Sequence, residues 1–196
     1  LRGILHRVED HLAAGSTPDW LLRASRSLLF FLRHDIHADQ ITEPTVRDHY
    51  LQIDDTDILF SLKQWIQGDD RVLADLCRRF VNREFFRLTF LPREPNAPQI
   101  DSWRRQVADW LVDQNLVADS EAVDAARHYL TVDASHHTAY DSDREMIGIL
   151  DREGNVRELS EMADTAAISA LTNFVVKPYV CYPKPVNIDV DAVPEG

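Results

Sequence analysis

Apolar residues recur at helical spacing through the first 80 positions. Ile4, Leu5, Val8 and Leu12 share one face of a first helix, which Gly15-Ser16 stops. Thr17-Pro18 is expected to open a second, since proline fits a first turn, with Leu21, Leu22, Leu28, Leu29, Phe31 and Leu32 on its apolar face. Residues 38–46 read as a polar stretch containing Pro44. A third helix is predicted after Asp54-Asp55-Thr56-Asp57, carrying Ile58, Leu59, Leu62 and Trp65 and ending at Gly68. Asp69-Asp70 starts a fourth, with Val72, Leu73, Leu76, Phe80 and Val81.

The period changes near residue 85. Phe86 to Leu91 alternates and predicts a strand, and the prolines from Pro92 to Pro98 predict a loop. A helix is expected from Ile100 to about Leu116, and a shorter one near 119–127. His128 to Val132 reads as a strand. Met146–Leu150 and Val156–Leu159 read as a hairpin turning at Gly154-Asn155. Residues 160–173 read as a helix. Val175 to Tyr182 reads as a last strand, which Pro178 should confine to an edge or a bulge. The expected fold class is α+β. A helical region at 1–84 is followed by a small, mostly antiparallel α+β module at 85–184 and a flexible tail at 185–196.

Composition narrows the function classes. The chain has 196 residues, 21 Lys and Arg against 33 Asp and Glu, and a formal net charge of −12. That acid excess argues against a nucleic-acid polymer as partner, because phosphate neutralisation needs surplus cations. It leaves room for a local basic pocket. Cys77 and Cys181 are the only cysteines, which points to a reducing, cytoplasmic setting. No apolar run approaches the roughly 20 residues that cross a bilayer, so no membrane partner is expected. The chain opens at Leu1 in mid-pattern with no capping residue ahead, and is expected to be the interior of a longer protein.

Several clusters carry candidate chemistry. His34-Asp35 resembles the signature of metal-dependent phosphohydrolases, in which two His and two Asp hold a divalent ion that generates hydroxide, and His6 upstream is the candidate first ligand. That motif would continue with Gly-His, and His37 stands where the glycine would be, so solvated residues at a helix end are the preferred reading. Asp54, Asp55 and Asp57 are better read as helix caps than as metal ligands. His136 and His137, near Asp133, Asp141 and Asp143, have no diagnostic ligand spacing and read as a solvated loop. Each cysteine reads as a small buried hydrophobe. With only 6 Gly, no glycine-rich phosphate loop is present. The basic run Arg78-Arg79, Arg83 and Arg87 stands out in an acidic chain. Guanidinium groups grip phosphate bidentately and Phe85 or Phe86 could flank a base, but pairing with nearby carboxylates is the plainer reading.

Leu51-Gln52-Ile53-Asp54-Asp55-Thr56-Asp57-Ile58, Leu62-Lys63-Gln64-Trp65, Asp70, Leu73 and Asn82-Arg83-Glu84-Phe85-Phe86-Arg87 carry a recognisable pattern. Ile147 to Leu150, Gly154-Asn155-Val156 and Tyr179 to Lys184 extend it. Together they resemble the C-terminal part of HD-superfamily metal-dependent phosphohydrolases, in the bacterial dNTP-triphosphohydrolase-like group, distantly similar to the SAM-and-HD-domain dNTPase. The resemblance implies that the metal ligands precede this region, so neither catalytic residues nor a metal site are expected here. A divalent metal is expected in the absent catalytic half. It implies that His34-Asp35 falls in a Phe-Leu-x-x-Asp-Ile segment instead of the HD signature. It also implies that Arg83 and Arg87, with Phe85 as packing partner, hold a regulatory nucleotide. The partners implied are the protein's own N-terminal HD domain and further copies in a homo-oligomer. Two other readings are carried: a non-enzymatic protein-interaction module, and a self-sufficient metal-dependent phosphohydrolase using His6, His34 and Asp35.

Overall fold

In the computed structural model, which describes residues 1–15, 17–137, 148–150, 154–158 and 175–190, side-chain caps mark the starts of four helices, those that begin at Arg26, Asp55, Arg71 and Ala97. The helices are α1 (Arg2–Ala13), α2 (Arg26–Arg33), α3 (Pro44–Gln52), α4 (Asp55–Trp65), α5 (Arg71–Val81), α6 (Ala97–Asp113) and α7 (Asp119–Ala126), with a 3-10 turn at Ala38–Thr42. The strands are β1 (Arg87–Phe90), β2 (Thr131–His137), β3 (Gly148–Leu150), β4 (Val156–Glu158) and β5 (Val175–Tyr182). Asp54 accepts from the Thr56 and Asp57 amides at 2.7 and 3.2 Å, and the Asp54 amide donates in return to the Asp57 carboxylate at 3.0 Å. These acids are therefore caps, as their spacing predicts; each such cap stabilises its helix by about 1 kcal/mol. Asp70 caps α5 through the Leu73 amide at 3.0 Å, and Asn96 caps α6 through the Gln99 amide at 2.9 Å.

Two expectations for the helical region are corrected. Pro18 does not open α2; Ser25 is its N-cap. The preceding residues form turns, which leaves the Leu21 carbonyl free to accept from the Trp65 indole at 3.0 Å while Leu21 itself is fully buried. A helix through this stretch would have used that carbonyl internally. The polar stretch at 38–46 contains a 3-10 turn and the start of α3, a helix that the periodicity does not predict. Pro44 occupies the first turn of α3, where its missing N–H costs nothing.

The chain divides into two units. The first takes residues 1–88, 96–131 and 181 onward; the second takes 89–95 and 132–180. The periodicity alone divides the chain once, near 85, whereas α6 and α7 belong with the helical unit. Trp103, Val107 and Leu111 of α6 are buried there, with Val8, Leu62, Trp65 and Leu73. Helix α1 packs on α5 and α2, α4 on α5, and α6 on α7. Residues 185–190 of the expected flexible tail are anchored: Val186 and Ile188 are buried, as is Pro183 ahead of them, and the Trp103 indole donates to the Asp189 carbonyl at 3.0 Å.

Strands β1, β5 and β2 form an antiparallel sheet in that order, which completes an α+β fold with an N-terminal helical part. Strand β5 is thus central, which removes the edge from the two alternatives, edge or bulge, that Pro178 suggests. The Pro178 carbonyl accepts from the Leu91 amide at 2.8 Å, just beyond the last residue of β1. A residue's amide and carbonyl face the same neighbour in an antiparallel pair, so the absent Pro178 donor falls where β1 has already ended. His128 and Tyr129 lie in a turn, and β2 begins at Thr131. The expected hairpin forms: Gly148 pairs with Glu158, Ile149 with Arg157 and Leu150 with Val156. The helix expected at 160–173 lies outside the described residues. Among the described residues, no helix is long and apolar enough to cross a membrane.

Candidate anion site at the end of helix α5

Helix α5 buries Val72, Leu73, Leu76 and Cys77, and with them Asp75, which is 3% exposed. A buried carboxylate is strongly destabilising unless its oxygens are paired. Asp75 is paired three times. Arg79 donates through Nε at 2.6 Å, Arg78 donates to the other oxygen, and the Tyr129 hydroxyl lies 2.9 Å away. The three- and four-residue spacing of Arg78 and Arg79 puts both over Asp75 on one helix face. The Tyr129 hydroxyl also lies 3.2 Å from the Val72 carbonyl; its single proton favours the shorter bond to the charged oxygen. Burial, and then the Asp75 charge, push the Tyr129 phenol up, so it stays a neutral donor. The Arg79 guanidinium sits 5.2 Å from the centre of the Trp110 ring, and its Nη1 is 3.8 Å from Glu84.

The helix ends in a Schellman turn. The Arg83 amide donates to the Phe80 carbonyl at 3.1 Å, and the Glu84 amide to the Arg79 carbonyl at 2.8 Å. This geometry places Arg83 in the left-handed region at φ 60°, a position that favours glycine. Helix α6 ends the same way, with bonds of 2.8 and 3.0 Å, but there Asn115 takes the left-handed position at φ 55°. Asparagine tolerates that backbone; arginine costs about 1 kcal/mol in it. A long cation therefore stands where the backbone alone would select another residue, the kind of local strain that marks functional positions.

Arg83, Phe85 and Arg87, the nucleotide-site residues that the family resemblance implies, all lie exposed on the run from α5 into β1. Neither Arg83 nor Arg87 pairs with a carboxylate among the described residues. Phe85 is 54% exposed, with its ring edge-on to Phe80 at 6.2 Å, and Phe86 stacks on Tyr129 at 5.7 Å. The four-arginine cluster thus splits. Arg78 and Arg79 do pair with a carboxylate, as the plainer reading has it, and the other two face solvent.

The self-sufficient metal site is not assembled. His6 is exposed on α1. His34 caps the end of α2, where its Nδ1 donates to the Phe30 carbonyl at 2.7 Å and its ring lies 4.6 Å from that of Phe30. The Asp35 side chain is 95% exposed. Among the described residues no three His, Cys, Asp or Glu gather as metal ligands. His136 and His137 lie on β2, while Asp141 and Asp143 fall outside the described residues. Cys77 is buried, and burial pushes its thiol up to about 12, so it is no nucleophile.

The structure also brings together residues that no motif announces. Asp70, near the start of α5, takes the Arg7 Nε at 2.7 Å and the His11 Nε2 at 2.5 Å. Burial pushes the Asp70 carboxyl up, but the Leu73 amide, His11 and Arg7 outweigh it and hold it below its ordinary value. These side chains line an open cleft of ≈ 720 Å³ with Trp20 and Arg71. The Asp75 pairing is visible in the spacing of Arg78 and Arg79. The Tyr129 contact, 54 residues away, has no local signal.

No family model matches the chain. YwfO, an uncharacterized protein of Bacillus subtilis, is 29% identical over 176 residues, which cover 85% of this chain and 37% of YwfO. The crystal structure of a phosphohydrolase from Bacteroides thetaiotaomicron, BT4208, matches with a TM-score of 0.68 and 26% identity over 92% of this chain and 42% of that one. The chain therefore spans less than half the length of each protein it matches, and shares its fold with part of a phosphohydrolase.

Proposed function

We propose that this chain is the non-catalytic, C-terminal portion of an HD-type (deoxy)nucleoside triphosphate phosphohydrolase, serving oligomer assembly and holding a regulatory nucleotide through Arg83 and Arg87. The fold shared with a phosphohydrolase supports the enzyme class. The observation that carries the regulatory reading is Arg83 in a left-handed turn, exposed, with Arg87 and the half-exposed Phe85 close by in the chain. Two guanidinium forks offer bidentate bonds to a polyphosphate, and the phenyl ring offers an apolar face to a base. The divalent metal and its activated water belong to the catalytic part of the parent enzyme.

The test is calorimetric titration of dGTP and GTP into the intact protein and its Arg83→Ala variant. Loss of one charge-assisted contact should weaken binding about tenfold. Identical curves end the regulatory reading. In parallel, this chain alone should hydrolyse no dNTP with Mg²⁺ or Mn²⁺; metal-dependent turnover would refute the non-catalytic assignment.

A further inference from the structure

We propose that Tyr129 is a positioning residue for the Arg83 site, fixing the turn that presents Arg83 and the strand start that presents Arg87. The inference rests on the reading of Arg83 as an anion contact. Its basis is that two routes from Tyr129 reach the two arginines.

The first route runs through Asp75. The Tyr129 hydroxyl and the Arg79 Nε share one oxygen of Asp75, at 2.9 and 2.6 Å. Arg79 is thereby held by its side chain against Asp75 and Trp110. The backbone carbonyl of the same residue accepts the Glu84 amide and closes the turn, and its Nη1 faces the Glu84 carboxylate at 3.8 Å. Residues 79 and 84 are thus tied by main chain and by side chain. Arg83 lies inside that loop in its left-handed conformation. A turn that its own residue type disfavours stays closed only while its anchor is held.

The second route is the ring itself. Tyr129 stacks on Phe86 with centroids 5.7 Å apart and planes at 26°, and meets Trp110 edge-on at 5.8 Å. Phe86 directly precedes Arg87. One buried side chain therefore supports both arms of the site without touching either guanidinium. Preorganised contacts bind more tightly because less freedom is lost on binding.

The experiment uses the intact protein and inorganic triphosphate as probe. Tyr129→Phe removes the hydroxyl and leaves the ring to stack. It should weaken triphosphate binding about fivefold, the worth of one buried hydrogen bond, and speed hydrogen exchange at the Glu84 amide. On an Arg83→Gln background, which already lacks the presented group, Tyr129→Phe should weaken binding no further. If Arg83→Gln leaves binding unchanged, the anion reading itself fails. If Arg83→Gln weakens binding while Tyr129→Phe alters neither binding nor Glu84 exchange, the positioning role fails alone. Equal weakening by Tyr129→Phe in both backgrounds also overturns it, since that pattern marks a general structural effect. Should Tyr129→Phe lower the folded fraction, Arg79→Lys runs the same cycle, keeping the charge but losing the Nε bond.

Discussion

Acid should loosen this chain through His128. Its side chain is 1% exposed, and neither ring nitrogen has a hydrogen-bond partner among the described residues. Nε2 lies 3.2 Å from an Asp10 oxygen, but that oxygen already takes an Arg127 bond at 2.7 Å. Burial lowers the His128 pKa from the ordinary 6.5 to about 4; attraction to Asp10 opposes this, while Arg7 and Arg127 reinforce it. The folded chain therefore refuses a proton that the unfolded chain accepts between those two values. Stability is full above about pH 6.5 and falls as the pH drops towards 4, by about 3 kcal/mol in total. Urea unfolding followed by tryptophan fluorescence, at steps from about pH 7.5 to about pH 4.5, measures it. His128→Gln cannot titrate, so its stability should fall less steeply over the window, the difference from wild type approaching about 3 kcal/mol at the acid end. Parallel curves for the two proteins would refute the reasoning, because other carboxylates would then account for all the acid sensitivity.

Other substitutions probe other links. Gly3→Ala should cost about 2 kcal/mol in thermal or urea unfolding, although alanine favours helices, because its Cβ would stand 2.1 Å from the His128 carbonyl oxygen and backbone cannot step aside cheaply. Arg83→Gly should raise stability by about 1 kcal/mol by relieving the left-handed strain while weakening nucleotide binding, so melting temperature and affinity move in opposite directions. Native protein at mild alkaline pH should react slowly with a disulfide reagent. Cys181, half-buried, should react before the fully buried Cys77, and both promptly in denaturant; rapid native labelling of Cys77 would contradict the burial that pushes its thiol up.

What the sequence reveals follows the reach of each interaction. Asp54, Asp57 and Asp70 announce α4 and α5 because a cap acts within three residues of itself. The β3–β4 hairpin was legible for the same reason: Gly154, at φ 88°, supplies a turn that its neighbours must flank. The start of α2 is not legible because the Trp65 indole, 44 residues away, claims the Leu21 carbonyl. Helix α3 stays hidden because Pro44 reads equally as a stop and as a first turn, and only Val46 is buried to betray a face. The central place of β5 is not legible because the length of β1, not Pro178 itself, decides whether a missing donor matters. At the candidate site, Arg83 and Arg87 stood out by charge alone. Their mounting on Asp75 and Tyr129 did not, since that contact spans 54 residues of chain.

The bond from Trp103 to the carbonyl of Asp189 spans 86 residues, and between them the chain leaves the helical unit and returns. During synthesis, α6 emerges long before its last covering segment exists. The indole and its apolar neighbours must wait, unsealed, until residues 183–190 clear the ribosome. Nascent chains stalled inside the second unit would expose that unfinished surface to chaperones or to one another until residues 183–190 cover it.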